Sequence, residues 1–463
     1  MHGPYDQVNA LVLGAGASGE AAARLLAARG GHVQVLDEGD GVACADAAGR
    51  LRDAGITVRF GAGELPDGPS DVCVTSPGFA MRHPWIAACR VRGIPVISEL
   101  ELGACYWPGR ILAVTGSKGK SSLVKLCADT FNGAGVTASP AGNYGIPLSR
   151  LALERPELRW AVTEVSSFQM EHTRTFSPDL AVLLNLQADH LDRHADMAEY
   201  KALKLAVFAA MRPGGVALLP AGLWHEGRIP EGVKLLRFGT DAACDWTYED
   251  HIVTGTFEGR VCKVGLRGSW FDNPVLGVAA AAGVAALLHA GLDGEQIAAG
   301  LAGFEPLAHR MQTVAVSSRG VRYVDDSKAT SLSATAAALR MAQGPVRLIA
   351  GGLLKEKELG WVKELLTQTT KKVYLIGQSA EQMFQAWSTS VPCEVCGTLD
   401  QAVDAAQREA LPGEIVLLSP GTASFDQFTS YRERGERFTE RVRAVADLDV
   451  RFFSEGKKDK ETQ

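Results

Sequence analysis

Short apolar runs alternate with stretches of helical spacing over the first hundred residues. Asn9-Ala10-Leu11-Val12-Leu13 predicts a buried strand, which runs into Gly14-Ala15-Gly16-Ala17-Ser18-Gly19 and then a helix through Arg29. His32-Val33-Gln34-Val35-Leu36-Asp37 predicts the next strand, and Asp71-Val72-Cys73-Val74-Thr75 a later one ending in Ser76-Pro77-Gly78. This is a doubly wound pattern, with a Gly-x-Gly-x-x-Gly turn after the first strand and an acid, Asp37, closing the second. Taken alone it points to a dinucleotide and a nicotinamide-dependent oxidoreductase. The blander reading is a set of glycines that only tighten a strand-to-helix turn.

The alternation restarts at Ile111-Leu112-Ala113-Val114, a buried strand, followed by Thr115-Gly116-Ser117-Lys118-Gly119-Lys120-Ser121-Ser122 and a helix from Leu123. Glycines there let backbone N–H groups close around a phosphate, and the helix N-terminus adds partial positive charge. Lys120 would reach the outer phosphates, and Ser121 would offer its hydroxyl to Mg²⁺. The spacing is the Gly-x-x-Gly-Lys-Ser variant, with Val114 where the usual first glycine stands. Strands Trp160-Ala161-Val162-Thr163-Glu164-Val165 and Leu180-Ala181-Val182-Leu183-Leu184-Asn185 continue this unit. Glu164 closes one strand, and the turn Ala188-Asp189-His190-Leu191-Asp192-Arg193-His194 follows the other, where ligands of open α/β sheets collect. A carboxylate beside a triphosphate loop suits Mg²⁺; an imidazole is a softer ligand than Mg²⁺ usually takes. A third unit starts after Gly303-Phe304-Glu305-Pro306, with strands at 322–324, 347–350, 372–376 and 414–418. Three α/β domains follow, with no fixed-period repeat.

The bulk properties narrow the setting. A chain of 463 residues suits about three domains, and 46% hydrophobic residues suit several cores. A net charge of −6 gives no basic footprint for nucleic acid. The first residues lack a signal-peptide pattern, and the apolar run Val275 to Leu288 is too short to span a bilayer and reads as a core helix. The expectation is a cytoplasmic, monomeric protein with no membrane partner. Nine scattered cysteines fit a reducing compartment, and Cys393-Glu394-Val395-Cys396 lacks the second ligand pair that zinc needs, so it reads as structural or incidental. The tail from Ser454 to Gln463 is charged and expected to be disordered.

Four segments carry a family resemblance. Glu164-Val165-Ser166-Ser167-Phe168-Gln169-Met170-Glu171 and Asp189-His190-Leu191-Asp192-Arg193-His194 resemble the central domain of the Mur ligases, the amino-acid ligases of peptidoglycan precursor synthesis. Asp325-Asp326-Ser327-Lys328-Ala329-Thr330-Ser331 and Leu418-Ser419-Pro420-Gly421-Thr422-Ala423-Ser424-Phe425-Asp426-Gln427-Phe428 look like the member that adds D-glutamate to UDP-N-acetylmuramoyl-L-alanine. The resemblance runs in order from about residue 8 to 440. It implies an α/β fold of three domains: an N-terminal Rossmann-like UDP-binding domain (1–100), a central P-loop ATPase-like domain (101–305) and a C-terminal Rossmann-like glutamate ligase domain with the tail (306–463).

The resemblance also implies a chemistry and its residues. ATP phosphorylates the substrate carboxylate, and the amine of glutamate attacks the acyl phosphate. Gly116, Ser117, Lys118, Gly119, Lys120, Ser121 and Ser122 fall on the ATP phosphates, with Asn273, Arg310 and Asp326 on the rest of the nucleotide. Ser121, Glu164 and His190 would hold two Mg²⁺ ions, joined by Lys204 as a carbamate; unmodified, Lys204 is an ordinary helix-face lysine. Lys120, Glu164, His190, Lys204 and Lys328 form the catalytic set. Ser18, Asp37, Ser76, Gly78 and Asn143 fall on the UDP-substrate positions, and Thr330, Lys355, Ser424, Phe425 and Tyr431 on those around glutamate. Two departures stand out: Lys118 adds a cation where the family often has Asn or Thr, and Leu276 in Asp272-Asn273-Pro274-Val275-Leu276 lacks an amide expected to touch the nucleotide. The alternatives are the same ligase chemistry with another amino acid such as L-glutamate, the oxidoreductase, and a non-catalytic nucleotide-binding protein.

Overall fold

The apolar runs assemble into three open sheets. The computed structural model describes residues 3–39, 45–188, 193–356, 358–445 and 451–452. The expected disorder of the tail and the positions of Asp189, His190, Leu191 and Asp192 lie outside the described residues.

The first sheet holds β1 (Asn9–Leu13), β2 (His32–Asp37), β3 (Thr57–Phe60), β4 (Val72–Thr75) and β5 (Val96–Ser98) in the order β3-β2-β1-β4-β5. All its pairings are parallel, so each strand returns through a crossover. The order reverses between β1 and β4, which opens a crevice at their carboxyl ends. The turn after β1 needs its glycines: Gly14 has φ +96°, and a Cβ on Gly19 would stand 1.8 Å from the Gly14 carbonyl oxygen. Helix Ala17–Ala28 can therefore start hard against the strand.

The second sheet holds β6 (Arg110–Thr115), β7 (Ala138–Gly142), β8 (Trp160–Glu164), β9 (Leu180–Leu183), β10 (Val216–Pro220), β11 (Lys234–Gly239), β12 (Trp246–Glu249), β13 (Ile252–Phe257) and β14 (Arg260–Gly265). Its order is β14-β13-β12-β11-β10-β9-β6-β8-β7, with β6 between β8 and β9 and an antiparallel meander at the β14 edge. The strand expected through Asn185 stops at Leu183, because Leu184 and Asn185 turn to bond the phosphate loop. The run expected as a core helix is one, Pro274–His289, apolar all round. Among the described residues no helix is long and apolar enough to cross a membrane.

The third sheet holds β15 (Gln312–Val316), β16 (Arg322–Asp325), β17 (Val346–Gly351), β18 (Thr370–Ile376), β19 (Cys393–Gly397), β20 (Ile415–Leu418) and β21 (Arg451–Phe452) in the order β19-β18-β17-β20-β16-β15-β21. The Cys-x-x-Cys lies on β19. Strand alternation sends Cys393 to the core on one face and Cys396 to the core on the other, so the two thiols cannot act together.

The described residues form two compact units. One runs through Phe271 and again over Gly277–Phe304; the other takes Asp272–Leu276 and the chain from Glu305. The first two sheets share an apolar core that runs from Leu25 and Leu51 through Leu100 and Leu102 to Leu148 and Leu219, and the first sheet has a further core on its other face around Leu11, Leu13 and Trp85. The third sheet has its own cores, one on each face.

Candidate active site

In the first unit the chemistry collects at the carboxyl ends of β6, β8 and β9. β6 runs into Gly116 (φ +145°) and Gly119 (φ +84°), backbone shapes that a side chain would strain. Gly119 caps helix Lys120–Gly133, whose first intrahelical bond is from the Leu123 N–H to the Gly119 carbonyl. The N–H groups before Leu123 have no acceptor within their own helix, which makes this end suited to an anion.

Two lysines converge on the loop. The Lys120 ammonium donates to the carbonyl oxygens of Gly116 at 2.9 Å and Ser117 at 3.1 Å. Lys204, 2% exposed in the last turn of helix Met197–Leu205, donates to the same Gly116 oxygen at 2.7 Å. Lys204 lies far along the chain from the loop, so its presence there is a product of the fold.

Glu164 follows from sheet register. It pairs with Val114 at the end of β8, which places its carboxylate beside the helix that Lys120 begins. Ser121 Oγ donates to Glu164 Oε2 at 2.7 Å, and Asn143 Nδ2 donates to Glu164 Oε1 at 2.6 Å. The backbone joins in, with Asn143 N–H bonded to the Glu164 carbonyl at 3.0 Å. Asn143, expected among the substrate-contacting residues, is thus also the residue that orients Glu164. Ser121 and Glu164 present two adjacent hard oxygen donors, the type Mg²⁺ takes along with phosphate oxygens and water. Among the described residues no cluster of three His, Cys, Asp or Glu side chains forms a self-sufficient metal cage.

Sequence reasoning missed the clamp on the loop. Asn185 Oδ1 accepts the N–H groups of Ser117 at 3.1 Å and Lys118 at 2.9 Å, and its Nδ2 donates to the Lys118 carbonyl at 3.0 Å. Ser117 Oγ donates to the Gln187 carbonyl, accepts the Gln187 N–H, and lies 3.1 Å from the Tyr200 hydroxyl. So Ser117 and Lys118 turn their N–H groups to Asn185, and the N–H groups that the first turn of the helix leaves without an intrahelical acceptor are those ahead of Leu123. The available signal was a polar residue just past a buried strand. The further step, that β9 lies beside β6, came only with the fold.

In the first sheet the crevice residues are partly self-bonded. Asp37 Oδ2 accepts the Ala15 N–H at 2.7 Å and Oδ1 the Gly39 N–H at 2.9 Å, which holds the glycine turn against β2. Ser76 N–H bonds the Leu13 carbonyl, bringing the end of β4 to the same turn. The Ser76 hydroxyl is buried against Gly14 and Gly19 with no hydrogen-bond partner among the described residues. A buried donor without a partner costs roughly 1–3 kcal/mol, which an anionic or hydroxylated ligand at this turn would recover. Ser18 is half-buried at the start of its helix, and Gly78 is exposed.

In the second unit the named residues lie past the carboxyl ends of β16, β17 and β20. Lys328 Nζ stands 3.8 Å over the Tyr431 ring, close enough for a cation–π contact. Asp326 Oδ2 accepts from Ser419 Oγ at 2.8 Å and Oδ1 from the Met311 N–H at 3.2 Å; burial pushes its carboxyl up to about 7. Arg310 sits between His309 (φ +61°) and Met311 (φ +46°), a turn held by His309 Nδ1 on Asp325 Oδ2 at 2.7 Å. Arg434, 1% exposed, ties the segment together: its guanidinium donates to Ser327 Oγ, the Ser327 carbonyl and the Thr422 carbonyl. Neither Arg434 nor the His309–Asp325 pair was marked in the sequence. Ser424 is buried, while Thr330, Lys355 and Phe425 are exposed. Asn273 Oδ1 accepts the Leu276 N–H at 2.9 Å and so caps the helix start at Pro274.

Known proteins share this arrangement. Residues 114–285 match the family model of the Mur ligase middle domain, and 309–421 that of the Mur ligase, glutamate ligase domain. The UDP-N-acetylmuramoylalanine--D-glutamate ligase of Koribacter versatilis (strain Ellin345) is 36% identical, with 95% of this chain and 98% of that one covered. Its counterpart in Frankia casuarinae is 38% identical over 94% of this chain and 93% of that one. The fold is shared with UDP-N-acetylmuramate-alanine ligase MurC of Thermotoga maritima, at a TM-score of 0.58 and 15% identity over 94% of this chain and 99% of that one. The glycine turn, the phosphate loop and the third-sheet segment all fall within matches to amino-acid ligases, and the chain is a member of the Mur ligase family.

Proposed function

We propose that this protein adds D-glutamate to UDP-N-acetylmuramoyl-L-alanine, driven by ATP, in a cytoplasmic step of peptidoglycan synthesis. The L-alanyl carboxylate attacks the γ-phosphorus, the bond to the ADP oxygen breaks, and an acyl phosphate forms. The glutamate amine attacks the acyl carbon, and the tetrahedral adduct expels phosphate and loses a proton to give the amide. The observation that carries this reading is the Ser121–Glu164 oxygen pair beside the phosphate loop, within a chain of this family.

The first step brings a carboxylate to an anionic phosphate. Two unit charges ~4 Å apart repel by about 4 kcal/mol at an effective dielectric near 20, so fixed cations must offset the repulsion. Lys120 and Lys328 supply them in this reading. The helix N-terminus at Gly119–Ser122 holds the β- and γ-phosphates, while Asn273, Arg310 and Asp326 take the remainder of the nucleotide. Ser121 and Glu164, with His190, would hold the two Mg²⁺ ions, which neutralise phosphate charge when bound. The Ser76 hydroxyl, Ser18, Gly78 and Asp37 receive the UDP moiety, and Asn143 adds a substrate contact to its hold on Glu164. Lys328, Thr330, Lys355, Ser424, Phe425 and Tyr431 receive glutamate, a dicarboxylate that calls for fixed cations and hydroxyl donors.

Lys204 has a specific place in this scheme. As an ammonium it shares one carbonyl acceptor with Lys120, and two like charges ~5 Å apart cost on the order of 3 kcal/mol at the same dielectric. Carbamylation turns Lys204 into an anion with two oxygens, which removes the repulsion and adds hard oxygen donors at the loop.

The test is phosphate release over a panel of amino acids that includes both enantiomers of glutamate. Release should require both UDP-N-acetylmuramoyl-L-alanine and D-glutamate. Release with L-glutamate alone, or with no acceptor amine, would overturn the reading.

A further inference from the structure

Arg193 has no role in the scheme above, yet its side chain bonds two segments that are distant in the chain. Its Nε and one Nη donate to the two oxygens of Glu171 at 3.0 and 2.9 Å, a bidentate pair in which the Glu171 side chain is only 4% exposed. The same guanidinium donates to the carbonyl oxygens of Gly78 at 3.0 Å and Phe79 at 2.8 Å. It lies 4.4 Å from the centre of the Phe168 ring, and the Arg193 carbonyl accepts from Arg82 at 3.1 Å. Residue 193 thus joins the loop after β4 by three hydrogen bonds, and it follows His190 by three positions in the sequence.

We propose that Arg193 is a positioning residue that registers the Ser76–Phe79 turn of the first sheet against the segment that follows Glu164 in the second. The inference rests on the functional reading above, in which the first turn receives the sugar nucleotide and Glu164 helps to hold the metal-bound phosphates. In-line transfer needs the acceptor carboxylate within near-attack distance of the γ-phosphorus, and a displacement of ~1 Å far from the chemistry can cost roughly 100-fold in rate. The planar fork makes all four of these bonds, two of them to the two oxygens of one carboxylate; a lysine ammonium has three donors and no bidentate edge, so it cannot reproduce the set. Phe168 stacks on the fork and Glu171 orients it, and both belong to the segment that follows Glu164. The tether therefore connects the sugar-nucleotide loop to the same stretch of chain that supplies the metal-binding carboxylate.

Two variants separate this role from plain packing. Arg193→Lys keeps the charge opposite Glu171 but loses the span to the carbonyls. The double variant Arg193→Met/Glu171→Gln removes both charges, so no buried carboxylate is left alone to block folding. Two readouts are taken on the full-length protein: hydrogen exchange of residues 76–82, and KM for each substrate. Exchange in the loop should quicken, and KM for UDP-N-acetylmuramoyl-L-alanine should rise about 10-fold or more, with KM for ATP and affinity for ADP·Mg²⁺ changed less than about twofold. Unchanged exchange would overturn the tether. Quickened exchange with equal changes in both KM values, or with none, would reduce Arg193 to a packing contact and overturn its positioning role. A wild-type protein inactive on the UDP-muramoyl substrate would count against the functional reading, while the exchange measurement would still decide the tether.

Discussion

Lys204 and Lys120 donate to one carbonyl oxygen, that of Gly116, and this convergence makes the charge state of Lys204 the sharpest question at the scale of single residues. If Lys204 works as a carbamate, Lys204→Ala leaves a hole lined by the loop and Tyr200 that a small carboxylate can enter. Activity should fall roughly 10–100-fold, in line with loss of a group that supports metal ligands, and formate or acetate should restore part of it. An alkylamine should not. Rescue by methylamine rather than by carboxylates would show that the ammonium is the working form, and intact mass of the native protein reads the modification directly. Some of this site was legible along the chain, because Lys120, Ser121 and Glu164 each occupy a position fixed locally by strand, turn and helix. Asn185, Gln187 and Arg193 were not, because their work depends on which strand neighbours β6 and which loop meets it. Asn143 was legible as a turn residue, but its bond to Glu164 depends on β7 pairing with β8.

At the scale of elements, helix Glu99–Tyr106 carries the chain from the first sheet into the second. Its first residue, Glu99, is fully buried and accepts the Ser149 N–H at 2.7 Å, while Ser149 Oγ donates to the Glu99 carbonyl at 3.1 Å. These bonds join it to helix Leu148–Glu154, and Gly103 lets the two approach: a Cβ there would stand 2.5 Å from the Ser149 nitrogen. Burial pushes the Glu99 carboxyl up to about 7 from 4.5, so the folded protein holds a proton that the unfolded chain releases. The sign follows from linkage: the contribution is complete below about pH 4.5 and is lost as pH rises through about 7. At most about 3 kcal/mol is involved. Glu99→Gln keeps an acceptor for Ser149 and abolishes the titration, so its melting temperature relative to wild type should climb from pH 5 to pH 8. A difference that stays flat over this range would mean that Glu99 is ionised in the fold. Asp326, raised in the same direction in the other unit, makes the difference between variant and wild type the quantity to follow. Strand and helix periodicity along the chain anticipates both helices' neighbours in sequence, but a buried carboxylate at their contact looks, on sequence alone, like any exposed helix-start glutamate.

For the whole molecule, the arrangement of the cores sets how it comes apart. Three α/β domains were read from the chain and three sheets are present, but the described residues form only two compact units, and one core joins the first two sheets. Leu25 on the helix after β1, Leu100 at the crossing, and Leu148 and Leu219 beside the second sheet lie in one continuous cluster, while the third sheet has separate cores on its two faces. Sheets that share a core lose it together, so unfolding should proceed in two transitions rather than three, and a single two-state stability does not describe the protein. Leu25→Ala tests this, because Leu25 is fully buried and its truncation costs about 2–5 kcal/mol. In calorimetry the variant should lower one transition by several degrees and leave the other in place. Hydrogen exchange of β6 and β8, in the second sheet, should quicken along with that of β1 and β2, and exchange of β17 and β20 should not change. A third transition that responds alone, with β6 and β8 still protected, would show that the first sheet is an independent domain. The proposed tether at Arg193 would then register two separately unfolding bodies rather than refine the packing of one cooperative body.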